Sequence, residues 1–222
     1  MGPEVTRNAE AIESILIIDD DAGAREGFAY SIEDLGITPV PEAGPITDLD
    51  GFVAGVKHRA QAVLCDYRLK TTEYSSFNGD ELVAACYRHR IPGLLCTQYT
   101  DLTTEMNRRL LRFIPALLRT SSPEPNAIRT SLRRCQDELH GTFHPARRPW
   151  RTLVRVDDVS QDGRYCHVIV PAWNPHQAIR IYFQDIPHDV LSDLRTGLRL
   201  HAKVNIGAES FEDVYFDEWE PE

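Results

Sequence analysis

Acidic residues follow two apolar runs in the first half of the chain. The run SILII is followed by Asp19, Asp20 and Asp21, and the run AVLC is followed by Asp66. A carboxylate at the end of a buried segment is costly unless a cation or hydrogen bonds compensate its charge. Carboxylate oxygens suit a hard divalent metal ion, and a carboxylate beside such an ion can act as a nucleophile.

A hydroxyl and a guanidinium follow two further apolar runs. Thr97 follows GLLC, and Arg119 follows ALL. In phosphoryl transfer, a metal ion, a hydroxyl and a fixed positive charge stabilise the oxygens of the group that moves. These residue types therefore predict a site in which Asp66 becomes an aspartyl-phosphate, with Mg²⁺ as the metal ion.

Strand and helix patterns alternate over residues 14–139. Strands are predicted at SILII, ITPVP, QAVLCDYRL, PGLLCTQY and PALLRT, and helices at residues 22–36, 46–58, 79–90, 101–112 and 126–139. Continuous apolar runs are typical of strands that are covered on both faces. Five strands alternating with five helices predict a doubly wound parallel α/β sheet.

The predicted sheet brings the candidate residues together in space. In open α/β sheets, ligands bind beyond the carboxyl ends of the strands, where the strand order reverses. With the flavodoxin-like order 2-1-3-4-5, strands 1 and 3 flank that point. Asp19 and Asp20 then face Asp66, with Thr97 and Arg119 at the ends of strands 4 and 5. Carboxylates crowded there would repel each other unless a cation neutralises them.

These motifs resemble the receiver domain of bacterial two-component response regulators, the CheY-like superfamily. The matching stretches are ILIIDDD, LCDYRL, NGDEL and LLCTQY, within residues 14–139. The resemblance implies that a sensor histidine kinase phosphorylates Asp66 and that Asp19 and Asp20 hold Mg²⁺. It further implies that Asp66 and the Arg68 backbone carbonyl are metal ligands, and that Thr97 contacts the phosphoryl group and moves. No separate enzymatic activity is expected, since a receiver assists only its own phosphorylation and dephosphorylation.

The chain departs from the family pattern at three places. Arg119-Thr120 stands where the family has Lys-Pro, and Ala116 stands where it has an aromatic residue that moves with the hydroxyl. The stretch YRLKTTEYSSFNGDEL is also longer than usual, so we expect an enlarged loop over the site that is either mobile or specific to a partner. Phe113 and Phe143 lie nearby in sequence, but neither is in register to replace the missing ring.

Composition limits the classes of partner and compartment. The formal net charge is −10, with 42% hydrophobic and 26% charged residues, as in ordinary globular proteins. Five cysteines without CxxC spacing indicate reduced, mostly buried thiols. Residues 1–14 lack the apolar core of a signal peptide, and no run is long enough for a membrane span. We therefore expect a cytoplasmic protein.

The second half has a different pattern. Residues 1–13 are predicted to be a flexible extension, 140–149 a linker and 150–222 a small all-β domain. Its strands are predicted at RTLVRVDDV, RYCHVIVPAW, AIRIYF, LRLHAKVNI and EDVYFDEW, with a short helix after the third. This element order predicts an OB-like barrel, with an SH3-like barrel as the alternative.

Charge favours a protein partner for this second domain. Residues 150–222 hold seven Lys and Arg and thirteen Asp and Glu, a formal charge of −6. A negative surface disfavours nucleic acid, although OB-like barrels often bind single strands. The main hypothesis is therefore a response regulator whose barrel engages a protein. Two alternatives remain: a regulator that binds RNA or single-stranded DNA, and a non-phosphorylated scaffold. A second copy of the chain is also a candidate partner.

Overall fold

The computed structural model describes residues 11–70, 73–97 and 108–221, which form two compact units. The described part of the first unit spans residues 11–97, apart from 71–72, and 113–142. The second comprises residues 108–112 and 143–221. Residues 108–112 lie in the second unit, although the sequence analysis includes them in the α/β segment 14–139. The predicted extension at 1–13 lies mostly outside the described residues.

The first unit contains a parallel sheet with flanking helices. Its strands are β1 (Ser14–Ile18), β2 (Thr38–Glu42), β3 (Ala62–Asp66), β4 (Gly93–Cys96) and β5 (Ala116–Leu118). The helices of the first half are α1 (Ala22–Glu33), α2 (Leu49–Val56), α3 (Gly79–Arg88), α4 (Arg108–Leu111) and α5 (Pro125–Leu139). All strand pairs are parallel and their order is β2-β1-β3-β4-β5, which confirms the predicted doubly wound fold.

Side-chain alternation explains why this sheet is covered on both faces. On one face, Ile15 and Ile17 of β1 join a core cluster with Phe28 and Ile32 of α1. The intervening strand residues point to the other face and are equally buried. Helix α5 completes the first cluster with Ile128, Leu132 and Cys135, three residues at helical spacing. Burial on both faces therefore explains why the central strands are continuous apolar runs in the sequence.

The second unit is an antiparallel sheet of five strands. Its elements are β6 (Trp150–Val159), β7 (Tyr165–Val170), β8 (Asn174–Tyr182), α6 (His188–Leu191), β9 (Arg199–Val204) and β10 (Phe216–Pro221). The strand order is β10-β9-β6-β7-β8. The first part of β6 pairs with β9, the later part with β7, and Arg155 pairs with both. The predicted all-β class and element order are confirmed. Closure into an OB-like barrel stays a prediction, because β8 and β10 are the edges of the described sheet.

Aromatic side chains complete the core of the second unit. Trp173, Phe183 and Trp219 pack against a buried cluster that contains Val154, Val168 and other strand residues. The Trp173 indole Nε1 donates a hydrogen bond to the Ala208 carbonyl at 2.8 Å. These three rings therefore stabilise the fold.

Two expectations about the chain as a whole can be compared with the structure. All five cysteines are free and buried, as predicted. Among the described residues, no helix combines the length and the apolar character that crossing a bilayer requires.

Candidate functional site

Asp66 is the last residue of β3, at the carboxyl edge of the parallel sheet. It lies opposite Cys96 in the register between β3 and β4. Its carboxylate Oδ2 accepts a hydrogen bond from the Arg68 backbone N–H at 2.7 Å. The Tyr67 N–H donates to the Cys96 carbonyl, which holds the turn after Asp66 against β4. The candidate acceptor is therefore half-buried and held by backbone contacts.

Asp19 follows β1 and is only 5% exposed. Its Oδ1 accepts a hydrogen bond from the Asp21 N–H at 2.8 Å. Asp21 is the N-cap of α1, and its Oδ1 accepts a hydrogen bond from the Ala24 N–H. The Arg25 guanidinium donates to the Asp19 carbonyl, a contact that the sequence analysis does not predict. Both ends of this acidic turn are therefore held by helix α1.

The surroundings of Asp19 and Asp66 raise the pKa of both carboxyl groups. Burial, together with the charges of Asp66 and Asp20, raises the pKa of Asp19 to about 7, although the Asp21 N–H opposes the rise. Burial also raises the pKa of Asp66, and the N–H groups of Arg68 and Tyr67 oppose it. A nearby cation would favour the charged form of both groups. The charged forms of both carboxylates are therefore disfavoured unless a cation lies close to them.

The donor set fits a metal ion that takes few protein ligands. Across the described ranges of the chain, no group of three or more His, Cys, Asp or Glu side chains is arranged to hold an ion. A full carboxylate cage around Asp19, Asp20 and Asp66 is therefore not assembled there. Mg²⁺ commonly uses one or two carboxylates and keeps several waters, and this sparse set matches that habit. The Arg68 backbone carbonyl lies next to this set in sequence and remains the predicted further ligand.

Thr97 and Arg119 stand at the carboxyl ends of the next two strands. Thr97 follows β4, is 1% exposed, and donates its N–H to the Leu118 carbonyl. Arg119 follows β5 and is exposed. The register pairs Asp66 with Cys96 and Cys96 with Leu118, so Thr97 and Arg119 each lie one residue beyond that row. All predicted side chains therefore lie at one edge of the sheet, and a phosphate contact by Thr97 or Arg119 stays a prediction.

Gly79 begins α3 directly against the candidate acceptor. A Cβ atom at this position would lie 1.9 Å from the Asp66 carbonyl oxygen and 2.9 Å from the Cys65 sulfur. The Gly79 N–H donates to the Tyr67 carbonyl at 2.9 Å. Asn78 and Glu81 form a capping box at the same helix start. The stretch NGDEL therefore fixes the backbone on both sides of Asp66, a role that the sequence alone does not assign.

The described part of the enlarged loop is packed against the first unit. Tyr74 and Phe77 are 7% and 3% exposed. The Tyr74 hydroxyl donates to the Glu42 carbonyl at 2.7 Å, and the Tyr74 carbonyl accepts from the Ile46 N–H at 2.7 Å. A Cβ on Gly44 would lie 2.5 Å from the Tyr74 ring, so only glycine admits this packing. Residues 73–77 are therefore anchored to the rest of the first unit. Residues 71–72 lie outside the described residues.

The aromatic residues near β5 occupy other places. Ala116 is 7% exposed within β5. The Phe113 ring lies 5.8 Å from the Tyr87 ring, and the Arg88 guanidinium lies 4.2 Å above it. Phe113 therefore packs at the end of α3. It is not a replacement for an aromatic side chain at position 116.

Comparisons with known proteins gave matches among solved structures only. No family model matches the chain, and no curated protein matches it. A chemotaxis response regulator, CheY4 of Vibrio cholerae, covers 56% of this chain and 99% of its own at 18% identity, with a TM-score of 0.40. A putative response regulator from Chloroflexus aurantiacus covers 56% and 98% at 16% identity, with a TM-score of 0.43. A receiver domain protein from Clostridium thermocellum covers 56% and 94% at 11% identity, with a TM-score of 0.44. These chains are similar to the first half alone.

Proposed function

We propose that the chain is a two-component response regulator and that Asp66 accepts a phosphoryl group from a histidine kinase. The observation that carries this proposal is the half-buried carboxylate of Asp66 at the end of β3, with the pKa of neighbouring Asp19 raised to about 7. Such carboxylates are costly to bury unless hydrogen bonds, a proton or a cation compensate their charge. A bound cation would compensate both carboxylates, and would also balance the negative charge that a phosphoryl group adds.

The proposed chemistry is a single displacement at phosphorus. A carboxylate oxygen of Asp66 attacks the phosphorus of a phosphohistidine, a P–O bond forms, and the P–N bond breaks. The leaving imidazole nitrogen keeps the bond's electron pair and then takes a proton from solvent. Mg²⁺, when bound, would neutralise charge on the phosphoryl oxygens. Asp19, Asp20, Asp66 and the Arg68 carbonyl are the residues that would hold it.

The chain's own groups orient the acceptor and stabilise the product. The Arg68 N–H bond to Asp66 Oδ2 restricts rotation of the carboxylate. The Thr97 hydroxyl would donate to a phosphoryl oxygen, and the Arg119 guanidinium would balance the added charge. Gly79 keeps the α3 backbone close enough to prevent the Asp66 turn from shifting.

The second unit is proposed to engage a protein partner. Its formal charge of −6 over residues 150–222 opposes attraction to phosphate backbones. Three of its large aromatic residues are partly buried and pack against the core, so their rings are not fully open for stacking. The chain would then be an adaptor: a kinase phosphorylates the first unit, and phosphorylation controls binding of a protein to the second unit.

One surface favours the alternative in which the second unit binds single-stranded nucleic acid. The Tyr165 and Tyr182 rings lie 6.3 Å apart across β7 and β8, and the Arg180 guanidinium lies 4.6 Å above the Tyr165 ring. OB-folds bind oligonucleotides through the corresponding two strands. However, Asp158 lies 3.9 Å from His167 on the same surface, and Arg180 already covers one ring face. A cross-strand ladder that stabilises the sheet explains these contacts equally well.

A mass measurement tests the main proposal. Incubation with acetyl phosphate and Mg²⁺ should add one phosphoryl group to the intact chain, and Asp66→Asn should abolish the addition without unfolding the protein. Absence of any adduct on the wild-type chain, with phosphate or with beryllofluoride, would favour the scaffold. Binding to a generic oligonucleotide that weakens steeply with salt would favour the nucleic-acid alternative.

A further inference from the structure

Helix α4 is held within the second unit by a buried arginine. Arg108 is 8% exposed, although it carries a positive charge. Its guanidinium Nη1 donates to the Phe211 carbonyl at 2.9 Å and to the Val214 carbonyl at 2.5 Å. Both carbonyls lie in the short segment that leads into β10. Backbone oxygens of the second unit therefore recognise this arginine directly.

A buried carboxylate matches the buried guanidinium. Asp185 is 4% exposed and attracts the charge of Arg108. It also accepts hydrogen bonds from the backbone N–H groups of Arg108 and Arg109 at the start of α4. Burial raises the pKa of Asp185 and lowers the pKa of Arg108, so each charge depends on the other. Removing one partner of such a pair leaves the other uncompensated and is strongly unfavourable.

The other two arginines of the RRLLR stretch are recognised as well. The Arg109 guanidinium donates to the Gln184 carbonyl at 3.2 Å. The Arg112 guanidinium pairs with the Asp217 carboxylate at 3.7 Å and lies 5.7 Å above the Tyr215 ring. Three arginines within five residues thus meet acidic, carbonyl and aromatic groups.

The carboxyl end of α4 is held from the same surface. The Arg147 guanidinium donates to the Leu111 carbonyl at 3.2 Å and to the Arg112 carbonyl at 2.9 Å. The Tyr215 hydroxyl, fully buried, donates to the Arg147 carbonyl at 2.6 Å and positions that segment. We call this surface the arginine-helix site. It consists of Asp185, Asp217, Tyr215 and Arg147 with the carbonyls of Gln184, Phe211 and Val214.

We propose that the arginine-helix site is the output surface of the second unit and that its partner carries an arginine-rich helical segment like RRLLR. The chain's own α4 occupies the site in cis and excludes that partner. A helix of one turn is unstable by itself, so α4 takes its stability from this surface. A partner helix without arginine would leave Asp185 buried and unpaired, which makes the site selective.

Control of this exclusion by phosphorylation rests on the proposed function. In the chain, α4 lies between β4, which ends next to Thr97, and β5, which ends next to Arg119. The segment that carries α4 is therefore joined in sequence to both strand ends, and we expect their displacement on phosphorylation to act on it. We expect phosphorylation to release α4 and open the site, a population shift that favours binding in trans.

The inference is tested by titrating a peptide onto a variant whose own α4 no longer occupies the arginine-helix site. The variant Arg108→Gln/Arg109→Gln/Arg112→Gln removes the arginines of α4 from the full-length chain. A fluorescent peptide with the sequence of residues 106–114 should bind this variant at least tenfold more tightly than it binds the unphosphorylated wild type. Adding Asp185→Asn to the variant should weaken binding at least tenfold. A peptide with three glutamines in place of the arginines should not bind.

A matched control separates the site from a general charge effect. The variant Arg129→Gln/Arg133→Gln/Arg134→Gln removes the same charge from exposed positions of α5. It should bind the peptide no better than wild type. Equal binding to both triple variants, or equal binding with and without Asp185→Asn, would overturn the arginine-helix site.

Hydrogen exchange on the wild-type chain is a second test, which does not depend on whether the triple glutamine variant of α4 folds. Excess arginine peptide should speed exchange of the Leu110 and Leu111 amides at least tenfold relative to the glutamine peptide, because it displaces α4. Unchanged exchange would overturn the proposal. A phosphoryl adduct without peptide binding to the triple glutamine variant of α4 contradicts this inference only. Peptide binding without any adduct contradicts the proposed function and leaves the arginine-helix site standing.

Discussion

The carbonyl oxygen of Asp66 and the α-carbon of Gly79 are so close that no side chain fits between them. A Cβ at position 79 would lie 1.9 Å from that oxygen. The start of α3 and the end of β3 are therefore joined at the candidate acceptor. Any change at Gly79 must move the backbone that presents the Asp66 carboxylate.

Gly79→Ala should lower both stability and the rate of modification of Asp66. Overpacking of a buried site typically costs about 1–3 kcal/mol, and here the clash is with backbone. Urea unfolding monitored by circular dichroism measures the first effect, and the rate of adduct formation the second. Gly55→Ala is the matched control, because its Cβ would meet nothing within 4 Å in α2. It should be neutral or stabilising, and an equal loss in both variants would contradict the role given to Gly79.

The metal-free protein should lose stability as pH rises towards neutrality. The pKa of Asp19 is raised from 3.8 to about 7, so the folded state binds a proton that the unfolded state has released over that range. Stability from this group is complete below pH 4 and falls by at most about 1.4 kcal/mol per pH unit up to its raised pKa. Thermal unfolding in chelator between pH 5 and pH 8 measures this slope.

Asp19→Asn should flatten that slope and raise the melting temperature at pH 8 in chelator. With Mg²⁺ the wild-type profile should reverse, because the ion binds the ionised carboxylates. A variant with the same slope as wild type would show that Asp19 does not cause it.

Arg119→Ala should leave the modification of Asp66 largely intact but abolish the response of residues 108–112 to it. Arg119 is exposed after β5, so its loss should leave the fold intact and slow formation of the Asp66 adduct only modestly. The change in hydrogen exchange of residues 108–112 on adduct formation should be lost, since the guanidinium no longer couples phosphate to β5. Allosteric coupling of this kind is typically about 1–3 kcal/mol. Arg119→Lys keeps the charge and should keep part of the response. A full response in Arg119→Ala would exclude Arg119 as the coupling residue.

Tyr215→Phe should destabilise the second unit by about 1–2 kcal/mol, because it leaves the Arg147 carbonyl without its buried donor. The Tyr215 hydroxyl donates at 2.6 Å and the side chain is fully buried. Tyr30→Phe is the matched control: Tyr30 is 60% exposed and its hydroxyl bonds to the Glu26 carboxylate. Chemical unfolding should show almost no change for the control. Similar losses in the two variants would contradict the buried hydrogen bond.

The sequence by itself determined the strands of the first sheet and the residues at their ends. The apolar runs before Asp19, Asp66 and Thr97 are long, continuous and bounded, so their class depends on local pattern alone. The alternation of strands and helices then limits the topology to a parallel sheet, and the sheet brings the acidic residues to one edge. Element ends were less accurate: α2 begins at Leu49, where Asp48 caps it, and not at residue 46.

Only the tertiary structure decided how distant groups compensate each other. Arg108 and Asp185 are far apart in sequence, and nothing in the local pattern of RRLLR distinguishes a buried arginine from a solvated one. The raised pKa of Asp19 depends on burial by the whole sheet, and the fit of Gly79 against Asp66 depends on how α3 meets β3. Local periodicity is set by a few neighbouring residues, whereas burial and charge pairing are set by residues that meet only after folding.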